Sequence, residues 1–199
     1  MKYGILHPLV AAAALAQTPP ESHPSTRSNL GASFENVTVT PGVWISPDDV
    51  GSQPIVYARK KLEIEHHNTY MIFMLDLNIP DSDVTTLAYY SSLVPGLAVN
   101  TTTRLHWWGG NYTIGKHGLF VNSSEAVAEY TAPRPRDSTN HTYTLYLFEQ
   151  PRDYVFPKAA LEGTYYSQTA EARFNFTLAP IVKEVGEPVA ATYFLSNNP

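Results

Sequence analysis

The chain contains no cysteine. That single absence excludes thiol nucleophiles, cysteine metal sites and disulfide cross-links together. Basic residues are scarce, 13 against 18 acidic ones, for a formal net charge of −5, so a nucleic-acid partner is not expected. No apolar run approaches the length of a membrane span, so no transmembrane segment is expected. Catalytic signatures are missing as well. There is no G-x-S-x-G elbow, no phosphate-binding G-x-x-x-x-G-K-[ST] loop, no G-x-G-x-x-G turn and no H-E-x-x-H helix. No cofactor and no metal site are expected. His66 and His67 look like a metal pair, but on an extended segment adjacent side chains point to opposite faces, so they read as surface histidines. Asp81-Ser82-Asp83 lacks the rest of a calcium loop and reads as a polar turn.

What is present is a single domain's worth of chain. Its 199 residues, 43% apolar and 12% aromatic, suffice for one core built mainly from strands. Sixteen prolines and eleven glycines punctuate it. The start reads as a secretory signal peptide over residues 1–16: Lys2, a short apolar stretch from Leu9 to Leu15, and Ala14-Leu15-Ala16 placing cleavage near Ala16/Gln17. The expected location is therefore the secretory pathway or beyond the cell. Sequons at Asn36, Asn100, Asn111, Asn122, Asn140 and Asn175 agree with a glycoprotein. Residues 17–29, rich in Pro, Ser and Thr, are expected to form a mobile leader, and residues 30–199 the folded domain.

Strands are expected over 34–40, 54–57, 61–65, 70–75, 103–108, 143–148 and about 189–195. The continuously apolar Tyr70–Leu75 run suits a strand buried on both faces. Helix candidates are Ser124–Tyr130, Pro157–Ala160 and Ser167–Phe174, with 174–185 ambiguous. The pattern predicts a mostly β, antiparallel sandwich or barrel-like domain with a few short helices. Three chemical groups sit at strand ends. His141 opens a strand whose alternation puts His141, Tyr143, Leu145 and Leu147 on one face. His106 lies in Arg104–Asn111, and Asp76 ends the apolar Tyr70 run. Trp107-Trp108 reads as one core and one interface tryptophan.

Several blocks occur in order: Y-M-I-F-M-L-D-L-N-I-P (70–80), L-H-W (105–107) with Asn111 after it, A-P-R-P…H-T-Y…L-F-E-Q (132–150) and F-N-F…E-P-V-A-A-T-Y-F (174–194). Together they resemble the phosphatidylethanolamine-binding protein family, in a secreted fungal form. The resemblance implies an antiparallel β-sandwich with peripheral helices and a pocket at one end of the sheet for phosphate-like or carboxylate groups. It implies Asp76, His106, Pro133, Pro135, His141 and Tyr143 as ligand-binding residues, the two prolines stiffening one wall.

This chain departs from the family's pattern at Asp76-Leu77-Asn78, His141-Thr142, Trp108-Gly109-Gly110 and the loop 137–140, where glycine usually allows close ligand approach. A glycan on Asn140 would hang beside the mouth. Members of this kind occur in secondary-metabolite pathways that couple maleic-anhydride units into maleidrides. That implies a cyclase-like role assisting dimerisation, with His106 and His141 as oxyanion donors or proton-transfer groups and Asp76 orienting one imidazole. Expected partners are a small anionic or carboxylate ligand and biosynthetic enzymes of the same pathway. The alternatives implied are a non-catalytic lipid or carboxylate binder, or a serine carboxypeptidase inhibitor acting through its N-terminal segment.

Overall fold

A computed structural model describes residues 17–80, 101–136 and 138–198. The expected signal peptide, the Asp81–Asp83 turn and the Asn100 sequon lie outside the described residues. The described residues form nine strands: β1 (Leu30–Phe34), β2 (Val37–Thr38), β3 (Val43–Trp44), β4 (Ile55–Ala58), β5 (Thr69–Pro80), β6 (Thr101–Ile114), β7 (Phe120–Val121), β8 (His141–Gln150) and β9 (Ala190–Ser196). Two short α-helices, α1 (Lys158–Leu161) and α2 (Ala179–Val185), and three 3-10 turns complete the described elements. The protein is mostly β with few helices, its sheets curled. One sheet has the order β2-β1-β4 and the other β3-β9-β8-β5-β6-β7. Among the described strand pairs only β3–β9, at an edge, is parallel.

β5 is the spine, paired with β6 on one side and β8 on the other. Its side chains alternate between two cores. Tyr70, Ile72 and Met74 join Trp107, Tyr143, Leu145, Leu147 and Phe194, beneath the small sheet's Leu30, Ala32 and Phe34. Met71, Phe73 and Leu75 join Leu105, Trp108, Tyr146 and Phe148 under Ile181 of α2 and Ala160 of α1. A period of two with both faces covered is why this run shows no polar residue before Asp76. Trp107 and Trp108 are both buried, Trp107 in the first core and Trp108 in the second, so the expected interface tryptophan is a core residue.

Some expected elements differ. Residues 61–65 keep their alternation, with Leu62 and Ile64 packed on the first core, yet form no ladder. Residues 124–130 are not helical: Val127 and Ala128 donate backbone hydrogen bonds to the Trp108 carbonyl, and Ala128 bridges Trp108. Edge pairing there satisfies backbone groups a helix would have turned inward. Within 174–185 only α2 is helical. It starts beside Pro180, whose fixed φ suits a first turn, and ends at Gly186, whose φ of 88° a side chain would strain. Residues 17–29 lie against the large sheet. Thr18 is buried, Ala191 donates to the Ser28 carbonyl, and Asn29 bridges Ala191. Among the described residues no helix is long and apolar enough to cross a membrane.

Candidate functional site

The site forms where β5, β6 and β8 end together, and irregular pairing builds it. Met74 faces Trp107, but the next partner of β5, Leu75, faces Leu105. His106 is thus the extra residue of a β-bulge. A bulge re-aims the side chains around it. Without it, Leu105 would share Trp107's face; with it, Leu105 enters the second core and Arg104 stands opposite Asp76. A second irregularity, between Asp76 and Ile79, displaces Leu77 and Asn78 from the ladder. The Asn78 side chain then ties the strand ends together, accepting from the Thr142 amide at 2.7 Å and donating to the Asn140 carbonyl at 3.3 Å.

Asp76, His106 and His141 converge. Each is buried, at 1–2% exposure. His141 Nδ1 donates to Asp76 Oδ2 at 2.6 Å, since a carboxylate can only accept. Tyr143 joins the two imidazoles, its ring stacked with His141 at 6.1 Å and edge-on to His106 at 5.2 Å. His106 Nδ1 donates to the Thr131 carbonyl at 2.7 Å, and the Thr131 amide returns a bond to the His106 carbonyl. Burial first, then the neighbouring Arg104 guanidinium, hold the His106 pKa well below its ordinary value. A neutral ring that donates through Nδ1 carries its lone pair on Nε2.

A cavity of about 660 Å³ opens over this cluster. Asp76, His106, Pro135 and Tyr143 are among its lining residues. His141 and Pro133 are not among its described walls: His141 stands against Asp76, and Pro133 is buried beside it in sequence to Arg134. Three arginines line the cavity too, Arg104, Arg134 and Arg136, and sequence reasoning assigned none of them a role. Arg134 and Arg136 are exposed while Pro133 and Pro135 are buried, the alternation of an extended, proline-stiffened segment. Arg104 lies over the Phe174 ring, 5.0 Å from its centroid, and donates to the Gln168 carbonyl. Three guanidinium groups and the Asp76 carboxylate thus share this cavity on a chain of net charge −5. Tyr130 also lines the cavity, held by a hydrogen bond from its hydroxyl to the Val50 carbonyl at 2.7 Å.

Other expected features are dispersed. His66 and His67 are exposed, and among the described residues no group of three or more metal-ligating side chains is assembled. Of the described sequons, Asn36, Asn111, Asn140 and Asn175 are exposed. Asn122 donates its side-chain amide to the Gly110 carbonyl at 2.6 Å, and Asn111 accepts from Gln150 at 2.7 Å.

The chain is thus a mostly β domain with a polar, histidine-bearing cavity at the end of its sheet. Residues 30–191 match the family described as phosphatidylethanolamine-binding protein, and the chain belongs to that family. It is 30% identical, over 94% of its length and 93% of the relative's, to "Phomoidride biosynthesis cluster protein N" of Talaromyces stipitatus. A protein of the same name from a fungus designated Fungal sp. is 30% identical over 64% of this chain, which spans about half (52%) of that relative's length. Among solved structures, the fold is similar to a carboxypeptidase Y inhibitor complexed with its cognate proteinase, at a TM-score of 0.58 and 17% identity over 85% of this chain and 83% of that one. It is also similar to the phosphatidylethanolamine-binding protein from Plasmodium vivax, at a TM-score of 0.55 and 12% identity over 90% and 92%.

Proposed function

We propose that this protein serves a fungal secondary-metabolite pathway, holding a small carboxylate in the cavity over Asp76, His106 and His141 and assisting the dimerisation or cyclisation of maleic-anhydride units. The observation that carries the reading is the likeness to a biosynthesis-cluster protein along nearly the whole of both chains. The cavity supports it chemically. Guanidinium groups bind carboxylates through paired, charge-assisted hydrogen bonds, and three of them line one wall system. His106 Nε2 offers a base beside them, and the Asp76–His141 pair fixes a second imidazole. We further propose the sandwich arrangement of the two sheets, supported by their shared first core, and export through cleavage near Ala16/Gln17, supported by the sequons.

The carboxypeptidase-inhibitor alternative has a likeness of fold alone behind it, at 17% identity. Incubating the protein with a maleic-anhydride monomer, alone and with the other enzymes of its gene neighbourhood, tests the reading by mass spectrometry. Dimer above the protein-free control is expected, and it should fall in His106→Asn. Monomer that binds yet yields no dimer in either mixture would sink the catalytic part and leave a carboxylate-binding protein.

A further inference from the structure

Arg173 is buried completely, yet no carboxylate lies within ion-pair distance of it among the described residues. Its hydrogen bonds go to carbonyls and one hydroxyl. Nε donates to Tyr165 O at 2.8 Å and Nη2 to Tyr166 O at 2.6 Å. Nη1 donates to Glu129 O and to Thr131 Oγ1, each at 2.8 Å, with His106 O farther off at 3.5 Å. A buried cation hydrogen-bonded only to carbonyls and a hydroxyl is costly to desolvate, a cost that the charge of Glu129 offsets in part, and its bonds fix the groups around it. What it arranges is the strip 129–131, fastened to the strip 165–166. Within the fastened strip, Thr131 O is the acceptor that holds His106 Nδ1.

Burial and the nearest cations outweigh the Thr131 hydrogen bond and favour the neutral ring of His106. Arg104 on its own strand and Arg173 behind it repel a proton, while Arg134 and Arg136 add positive charge across the cavity. His141 and Tyr143 approach from β8, and Asp76 on β5 is engaged with His141. Tyr130, from the fastened strip, keeps its proton through burial. With Nδ1 committed to a carbonyl, the ring meets the cavity with Nε2.

We propose that Arg173 is a positioning residue that holds Thr131 against His106, so that the imidazole presents Nε2 to the cavity as a hydrogen-bond acceptor, and that the site selects small acids bearing a hydroxyl beside the carboxylate. The ligand half rests on the reading of the cavity as a carboxylate site; the Arg173 half does not. An acceptor at this place rewards a hydroxyl donor, while the arginines take the charge.

Nitrogen NMR of the imidazoles tests the first half without any ligand. At pH 7 the His106 ring is expected in the Nδ1–H form. In Arg173→Gln, the Nδ1–H preference should weaken, because Thr131 O is no longer held against the ring. A parent ring that is doubly protonated or Nε2–H overturns the proposal, even if the variant fails to fold. A folded variant with an unchanged ring overturns it too. Calorimetry with malate and succinate, which differ by one hydroxyl, tests the second half. Malate should bind about two- to tenfold more tightly, the worth of one hydrogen bond. Equal affinities overturn the hydroxyl selection. If neither diacid binds, the carboxylate reading itself falls, whereas the NMR result on Arg173 stands by itself.

Discussion

Stability against pH should carry the signature of His106. In the unfolded chain a histidine titrates near pH 6.5. In the folded protein burial and Arg104 push the His106 pKa well below that value. Above pH 6.5 the ring is neutral in both states and contributes nothing to pH dependence. As pH falls through 6.5, the unfolded chain takes up a proton that the folded chain refuses, so stability falls. The loss continues until the folded ring itself titrates. For one proton the slope is about 1.4 kcal/mol per pH unit, or about 2 kcal/mol between pH 6.5 and 5.0 while the folded ring stays neutral. Against a typical stability of about 5–15 kcal/mol, that is readily measured. His106→Asn keeps a donor for Thr131 O and removes the titration. Urea unfolding of parent and variant across pH 5–8 is the assay, and the exposed histidines, such as His66 and His67, cancel in the difference. Two curves that stay parallel below pH 6.5 would refute the reasoning, because they would mean that the buried ring accepts its proton as readily as a solvated one.

Asp76→Ala leaves His141 buried without its carboxylate and is expected to lower stability by about 3–5 kcal/mol, read as a shifted urea midpoint at unchanged slope; a loss under 1 kcal/mol would show the pair to be solvated. Arg134 is exposed at the cavity rim, so Arg134→Ala should weaken small-dicarboxylate binding by about tenfold, as for a lost charged hydrogen bond, with stability kept within about 0.5 kcal/mol. Unchanged binding in calorimetry would remove Arg134 from the site. In protein recovered from a secreting host, glycopeptide mapping should find exposed Asn140 modified and Asn122, whose amide is held by Gly110, bare. A glycan on Asn122 would mean that this hydrogen bond forms only after the sequon has been read.

The parts of this protein legible in its sequence are those where one local rule suffices. β5 and β8 carry unbroken alternation or continuous apolarity, so their existence, and the faces of Tyr143 and Leu145, follow from a period of two. The block order of the family brought Asp76, His106 and His141 together. Periodicity misled where side-chain burial and backbone pairing part company: Leu62 and Ile64 alternate inward from a segment with no partner strand. The stretch 124–130 read as helical because pairing with Trp108 is a long-range contact no local window contains. The arginine wall was hidden for a related reason. Arg104 reaches the cavity side because a bulge at His106 shifts the strand by one residue, and nothing in R-L-H-W announces that shift. Arg173 sat inside an expected helix, E-A-R-F, where an arginine ordinarily faces water. One signal existed: A-P-R-P-R alternates proline with arginine, which on an extended segment sends both cations the same way.

In that same segment, anchoring and contact are assigned to different residues. Pro133 and Pro135 sink into the body of the protein while Arg134 and Arg136 stand over the cavity. The floor, by contrast, is made from the most deeply enclosed strands of the molecule, where any change of side chain disturbs a core. On the proposed reading of the cavity as a carboxylate site, preference among guests is expected to change with exchanges at the rim rather than in the floor. A library randomised at 134 and 136, screened against acids of differing length and charge, would sample new guests on an unaltered scaffold.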